Sequence, residues 1–171
     1  MLELIDKQAL LDEVKKRLSE QLERLTQEQR NTQAGVVHED NRAEGDKDMR
    51  STEASYVARG QAARVVELLD EVRLAGLVQP KRFQDSDPIA WGALFSLEDE
   101  QGALSHHLLM PGGAGLSLRV PLGAPSAQEV TVTLVSARSP LGQALIGLLV
   151  GDIVTLDAET KSREWTLVEV A

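Results

Sequence analysis

The N-terminal half of the chain is organised by residues 5–25, IDKQALLDEVKKRLSEQLERL. Apolar residues recur in this stretch at spacings of seven and of three or four: Leu11, Val14, Leu18, Leu22 and Leu25. Such spacing is typical of the narrow seam of a coiled coil, whereas a helix on a globular core has a broader apolar face. Asp6 precedes the pattern, and its carboxylate is expected to accept a hydrogen bond from the first helical turn.

A second helical pattern follows a polar stretch that runs from Thr32 to Asp48. Its apolar seam consists of Ala54, Ala58, Val65, Leu68, Val72 and Ala75. Gln61 interrupts this seam, and Gly76 is expected to cap the C-terminal end of the helix. Neither helix can bury its seam alone, so we expect the two to pack as an antiparallel hairpin over residues 1–78.

The turn of this hairpin, at about residues 34–50, is rich in carboxylates. Six acidic residues lie between positions 39 and 53, against three basic ones. The acids expected at the tip are Glu39, Asp40, Glu44, Asp46 and Asp48. Taken singly, each is most simply a solvated residue or a helix cap. Taken together they suit Mg²⁺, which binds one or two protein carboxylates, keeps several waters and can take its remaining ligands from a partner.

The composition changes near residue 78, because all six prolines and most glycines come after it. We predict a linker over residues 79–88 and a β-rich domain over residues 89–171. Ser139-Pro140 has the form of a helix N-cap followed by proline, and predicts a short helix over Leu141–Leu148. The strand-like segments are Ile89–Leu97, Ala103–Met110, Leu116–Val120, Val130–Val135, Ile153–Leu156 and Glu164–Val170. The predicted fold class is therefore α+β.

The composition excludes several classes of function. The chain has 18 Lys and Arg against 27 Asp and Glu, so its overall field does not attract nucleic acid. It has no cysteine, which excludes disulfides, thiolate zinc sites and cysteine nucleophiles. No signal peptide and no apolar run long enough to span a bilayer are apparent, so we expect a cytoplasmic protein without a membrane partner.

The remaining motifs favour structural roles. His106-His107 lie in a strand-like segment, so their rings are expected to point to opposite faces. The glycine-rich stretch 111–115 is not followed by Lys-Ser/Thr, so it predicts a turn rather than a phosphate loop. Trp91 and Trp165 are expected to anchor the core.

Residues 135–147, VSARSPLGQALIG, and 150–154, VGDIV, closely resemble the C-terminal signature of the GreA/GreB transcript-cleavage factors. The ending at 163–170, REWTLVEV, resembles the last strand of that family. The N-terminal half is similar in architecture and in the pairs Gly45-Asp46 and Gln61-Ala62. The resemblance implies a coiled-coil hairpin joined to a C-terminal domain with an FKBP-like fold.

The resemblance also implies a function. Members of the family act on RNA polymerase: the hairpin enters the secondary channel and the C-terminal domain grips its rim. We expect the gripping residues to be Ser139, Pro140, Leu141 and Leu145. Tip acids, here Asp46 and Asp48, would help to hold a second Mg²⁺ at the polymerase active centre, so that the polymerase hydrolyses its own backtracked RNA. The chain would then be an accessory factor rather than an enzyme, a monomer that meets nucleic acid, DNA included, only through the polymerase.

The tip departs from the family pattern at one point, which keeps an alternative open. Asp46 matches the family's aspartate, but Asp48-Met49-Arg50 stand where the family has Ser-Glu-Asn. Asp48 or Glu44 would have to replace that glutamate. The alternative is a secondary-channel regulator or inhibitor that does not promote cleavage. A third hypothesis, prolyl isomerisation, needs a ring-lined pocket, and the chain has two Phe, one Tyr and two Trp in all.

Overall fold

The computed structural model describes residues 1–40, 47–124, 128–156 and 162–171, and within 33–40 and 47–55 it describes the helical backbone alone. The chain forms two compact units. One contains Lys15–Arg73, and the other contains Met1–Val14 together with Leu74–Ala171. Within these ranges a 3₁₀ turn at Leu2–Leu4 is followed by the helices α1 (Lys7–Asp40), α2 (Lys47–Leu77) and α3 (Pro140–Leu145).

The start of α1 agrees with the sequence, and its end does not. The Asp6 carboxylate accepts a hydrogen bond from the Ala9 N–H at 3.0 Å, which confirms the predicted N-cap. The helix then continues to Asp40, through part of the stretch that the sequence assigns to the turn. Apolar periodicity fades after Leu25, but good helix formers such as Gln27, Glu28 and Arg30 carry the helix up to that stretch. Local hydrogen bonds support them, such as the one from Gln27 Nε2 to Asn31 Oδ1 at 3.0 Å.

In the unit Lys15–Arg73 the two helices bury the predicted seam. Leu18 on α1 and Leu68 on α2 are each 1% exposed. Other seam residues are half-buried: Leu22, Leu25, Ala58, Val65 and Val72. Two long helices that meet along a seam and are joined only through residues 41–46 must run antiparallel. The predicted coiled-coil hairpin is confirmed. Its α2 helix ends at Leu77, one residue beyond the predicted glycine cap.

The other unit is built on a six-stranded sheet. Its strands are β1 (Leu94–Asp99), β2 (Leu104–Met110), β3 (Ser117–Pro121), β4 (Glu129–Ser136), β5 (Ile153–Leu156) and β6 (Arg163–Val170). Within the described ranges their order is β3-β4-β2-β1-β6-β5. β2 and β4 are parallel and the other neighbours antiparallel. A helical hairpin with this β-rich unit confirms the predicted α+β class and its FKBP-like half.

The first strand is shorter than the sequence predicts. It begins at Leu94 rather than Ile89, because Trp91 and Gly92 form a turn. Gly92 has a φ of 84°, and a Cβ there would lie 2.9 Å from Val78 Cγ1, so a side chain would be strained and crowded. Ile89 instead exchanges main-chain hydrogen bonds with Leu148 and Gly147 after α3.

One face of the sheet carries the main hydrophobic core. Phe95 and Leu97 of β1 point to this face, and Leu145 of α3 packs over them. Trp165 is half-buried against the same core, as predicted. Trp91 is 46% exposed, so the prediction of a core anchor there was wrong. Its place in the turn before β1 leaves the ring outside the sheet.

The opposite face of the sheet packs against the beginning of the chain. Leu94 points to this face because side chains alternate along β1. The 3₁₀ turn contacts β1, and Leu2 and Ile5 are 1% and 6% exposed. The Gly123 N–H donates to the Leu4 carbonyl at 2.7 Å. The N-terminal residues are therefore part of the sheet unit.

Candidate functional site

The predicted tip acids lie outside the residues whose side chains the structure describes. Glu44 and Asp46 fall within 41–46, which the structure leaves out. Glu39 and Asp40 are the last two residues of α1, and Asp48 is the second residue of α2, with only their helical backbone described. In the sequence, all five acids thus lie close to the end of α1, close to the start of α2, or between the two. Which of them could share a metal ion stays a prediction.

The hairpin that carries these acids packs unevenly along its length. Toward residues 15–18 and 68–73 its seam contains fully buried leucines. Toward the tip the half-buried positions are small or polar, as at Ala58 and Gln29. Gln61 occupies a seam position, and its side-chain Oε1 is buried without a hydrogen-bond partner among the described atoms. A buried acceptor without a partner is costly, so the seam is weakened here.

The segment before α3 owes its shape to one serine and one glycine. Ser139 Oγ accepts a hydrogen bond from the Gly142 N–H at 3.1 Å and donates one to the Ser136 carbonyl at 2.7 Å. The predicted Ser-Pro helix start is confirmed. A Cβ on Gly142 would lie 2.0 Å from the Ser136 carbonyl oxygen, so only glycine permits this approach. The helix ends at Leu145, earlier than the predicted Leu148.

The four residues predicted to grip a partner differ in exposure. Pro140 is exposed, while Ser139 and Leu141 are half-buried. Leu145 is fully buried in the core, so its side chain supports the surface from beneath and offers no area to a partner. The exposed apolar side chains near this helix are Ile146, Leu149 and Ile153, at 47%, 41% and 61%.

A separate polar chain links β1, β2 and β6. Ser96 Oγ lies 2.9 Å from His106 Nδ1 and 3.5 Å from Glu169 Oε2. Glu169 Oε1 also accepts hydrogen bonds from the Met1 ammonium and from the Leu2 N–H. Burial by itself raises the pKa of Glu169, but these hydrogen bonds and the ammonium charge outweigh it and hold the pKa below its usual value.

This chain of Ser96, His106 and Glu169 does not form a nucleophilic triad. The serine stands between the other two groups, whereas a triad needs the imidazole in the middle. Ser96 is also 1% exposed, so no substrate reaches it. Burial lowers the pKa of His106 below its usual value. The arrangement serves to fasten the N-terminus to the sheet.

His107 points to the other face, as predicted for neighbouring strand residues. Its ring stacks on Phe95, with centroids 5.5 Å apart. Burial lowers its pKa to about 4, so the ring is neutral at pH 7. In the described part of the chain no three His, Asp or Glu side chains group as a metal site. No described helix has the length and apolar character needed to cross a membrane.

Comparison with known proteins decides the family. The model for "Transcription elongation factor, GreA/GreB, C-term" matches residues 115–171. Transcription elongation factor GreA of Xanthomonas campestris pv. campestris is 30% identical over 159 residues, which cover 91% of each chain. This chain belongs to the GreA/GreB family. The GreA of Xanthomonas axonopodis pv. citri is 28% identical, again over 91% of each chain.

A solved structure is also similar to this GreA/GreB family member. The GreA factor homolog 1 of Thermus thermophilus is 21% identical, with 92% of this chain and 94% of that chain covered and a TM-score of 0.35. The curated relatives are named as transcription elongation factors, which supports the prediction of an accessory factor rather than an enzyme.

Sequence reasoning missed one set of surface residues in this family member. Ile146, Leu149 and Ile153 look like core residues in the sequence because they are large and apolar. Their exposure follows from the early end of α3 and from β5 lying at the edge of the sheet. No local sequence signal marks these residues, because the edge position of β5 is a property of the folded sheet.

Proposed function

We propose that this protein binds RNA polymerase at its secondary channel and modulates elongation by promoting cleavage of backtracked RNA. Membership of a family of transcription elongation factors supports this proposal. The single observation that carries it is the helical hairpin. Its helix α1 ends at Asp40 and its helix α2 begins at Lys47, and the sequence around these two ends is acidic. Such a hairpin can present carboxylates at one narrow end.

In this proposal the tip acids complete a metal site that the polymerase supplies in part. Asp46 and Asp48 are the assigned ligands, with Glu44, Asp40 and Glu39 adding negative charge. Carboxylate oxygens are the donors that Mg²⁺ prefers, and the ion tolerates a site with few protein ligands. When bound there, Mg²⁺ would activate the water that attacks the RNA phosphodiester.

A cleavage assay on stalled elongation complexes tests this role. The full-length chain with added Mg²⁺ is expected to shorten the RNA 3′ end, and Asp46→Ala combined with Asp48→Ala to lower that rate at least about tenfold. Asp70→Ala is the matched control, because it removes an exposed acid of α2 away from the tip. Unchanged RNA length with the factor bound would overturn the cleavage role.

The second candidate is a regulator that occupies the channel without promoting cleavage. Met49 and Arg50 favour it, because they replace a carboxylate and an amide of the family pattern with an apolar and a basic residue. This candidate predicts that the double Asp46/Asp48 variant still slows or pauses transcription like the wild-type chain. Loss of every effect in that variant would count against it.

The surface that grips the polymerase is assigned to α3 and the residues after it. Pro140 and Gln143 of α3 are exposed. Ile146, Leu149 and Ile153, which follow this helix, add exposed apolar area. Exposed apolar side chains of this kind often mark protein-binding surfaces. Ile153→Asp is expected to weaken polymerase binding about tenfold or more. Leu104→Asp, at a 55% exposed apolar residue of β2, is the matched control and should bind normally.

A further inference from the structure

Trp91 is an exposed aromatic residue at the apex of a tight turn before β1. A hydrogen bond from the Ala93 N–H to the Ala90 carbonyl, at 2.9 Å, closes this turn. Gly92 follows Trp91 with a φ of 84°, as the third residue of a type II turn requires. Trp91 is 46% exposed in this position. A tryptophan so exposed adds little to the core, so the stability of the fold does not account for its presence in the turn.

The turn is fixed by contacts with the rest of the sheet unit. The Gly92 N–H donates to the Leu109 carbonyl at 2.8 Å, and the Leu109 N–H donates to the Ala93 carbonyl at 3.0 Å. A Cβ on Gly92 would lie 2.9 Å from Val78 Cγ1, so Val78 packs directly against the turn. A side chain on such a fixed turn loses little conformational freedom when a partner covers it. Trp91 is therefore pre-organised for binding.

Main-chain hydrogen bonds place this turn next to the surface assigned above to polymerase binding. The N–H and the carbonyl of Ile89 form hydrogen bonds, both at 2.9 Å, to the segment 147–148. Trp91 follows Ile89 by two residues. Ile146 and Leu149 stand immediately before and after that segment, and they are 47% and 41% exposed. The exposed apolar area after α3 therefore continues toward Trp91.

A further exposed apolar residue stands beside the turn, at the end of α2. Leu77 is 65% exposed and directly precedes Val78, which packs against Gly92. We call the four exposed residues around the turn the Trp91 patch: Leu77, Trp91, Ile146 and Leu149. Neighbouring exposed apolar residues mark interaction surfaces, and tryptophan is enriched among the residues that contribute most to binding.

We propose that Trp91 is the anchor residue of the contact with RNA polymerase. This inference rests on the function proposed above, because it takes the polymerase as the partner. The partner surface is apolar and has a recess that accepts the indole ring, while the turn keeps its conformation. Leu77 and Leu149 contribute apolar area at the borders of the contact. The alternative occupant is a second copy of this chain, and the continuity with the surface after α3 favours the polymerase.

The first experiment compares binding by single variants. The full-length chain is titrated against core RNA polymerase, and Trp91→Ala is expected to weaken binding about tenfold or more. Leu104→Ala is the matched control, because Leu104 is an apolar residue of similar exposure. It lies roughly 16 Å along β2 from Leu109, which contacts the turn. Both variants should keep the unfolding temperature of the wild-type chain, which shows that a loss of binding does not come from a damaged fold.

The second experiment needs no variant. Hydroxyl-radical footprinting with peptide mass spectrometry measures the oxidation of each tryptophan in the free chain and in its complex with the polymerase. Oxidation of Trp91 should fall several-fold in the complex, because an anchor residue is desolvated there. Trp165 is half-buried against the core and serves as the internal reference, with little change expected. The same measurement on the free chain at rising concentration reports on self-association.

The outcomes separate this inference from the function on which it rests. A wild-type chain that does not bind the polymerase would remove both. A wild-type chain that binds, together with equal binding by Trp91→Ala or unchanged oxidation of Trp91 in the complex, would overturn the role of Trp91 and leave the proposed function intact. Protection of Trp91 in the free chain at rising concentration would assign the Trp91 patch to a second copy of the chain, and this also overturns the inference.

Discussion

Gly142 closes the loop before α3 by having no side chain. A Cβ at this position would lie 2.0 Å from the Ser136 carbonyl oxygen, a main-chain atom that cannot rotate away. Gly142→Ala should therefore lower the free energy of unfolding by about 2–4 kcal/mol. Denaturant titration followed by tryptophan fluorescence measures this, since Trp91 and Trp165 both lie in the sheet unit. Gly76→Ala is the control, with open space around the added methyl; equal stability of the two variants would refute the steric argument.

His107 makes the stability of the sheet unit depend on pH. Its pKa is about 4 in the folded chain, below the ordinary 6.5, so the unfolded chain binds more protons between these values. The stability contributed by the neutral ring is complete above pH 6.5 and is lost as the pH falls toward 4. We expect a loss of about 2–3 kcal/mol from this residue. Unfolding at several pH values should show a shallower slope for His107→Gln, and an unchanged slope would contradict the assignment.

At the scale of elements, Gln61 weakens the apolar packing between the two helices of the hairpin. Among the atoms that the structure describes, Gln61 Oε1 is buried without a partner, which costs about 1–3 kcal/mol. Gln61→Met keeps the length of the side chain and removes the unpaired oxygen. We expect it to slow amide exchange in residues 56–73 by about fivefold or more, which corresponds to about 1 kcal/mol. Gln21→Met, at an exposed position of α1, should leave exchange unchanged. Faster exchange in Gln61→Met would mean that the oxygen has a partner.

Elements with a regular pattern or a capping residue could be predicted from the sequence. The strand Ile153–Leu156 was predicted with its observed bounds, because a run rich in β-branched residues follows the turn-forming Gly151 and Asp152. The helix start at Ser139 followed from its capping hydroxyl. The end of α1 could not be found in this way, because the helix continues to Asp40 after the apolar period has stopped and passes through Gly35, where the sequence indicates a turn.

At the scale of the whole molecule, long-range packing was the part that the sequence did not reveal. Residues 1–14 read as the start of a coiled-coil arm, yet they belong to the sheet unit. No apolar periodicity in the sequence predicts the main-chain hydrogen bond from the Gly123 N–H to the Leu4 carbonyl. The candidate site also has a part that the sequence predicts and a part that it does not. The Ser139 cap was predictable, while the burial of Leu145 and the exposure of Ile146 depend on tertiary packing.

The same packing predicts that a residue at the start of the chain controls the stability of the sheet. Leu2 is 1% exposed, and its N–H donates to Glu169 of β6. Leu4 is two residues away and 39% exposed. Leu2→Ala should lower the free energy of unfolding of the sheet unit by about 2–4 kcal/mol, and Leu4→Ala by less than about 1 kcal/mol. Tryptophan fluorescence reports on this unit, because both tryptophans are in it. Similar losses in the two variants would show that the turn rests on the sheet without a buried anchor.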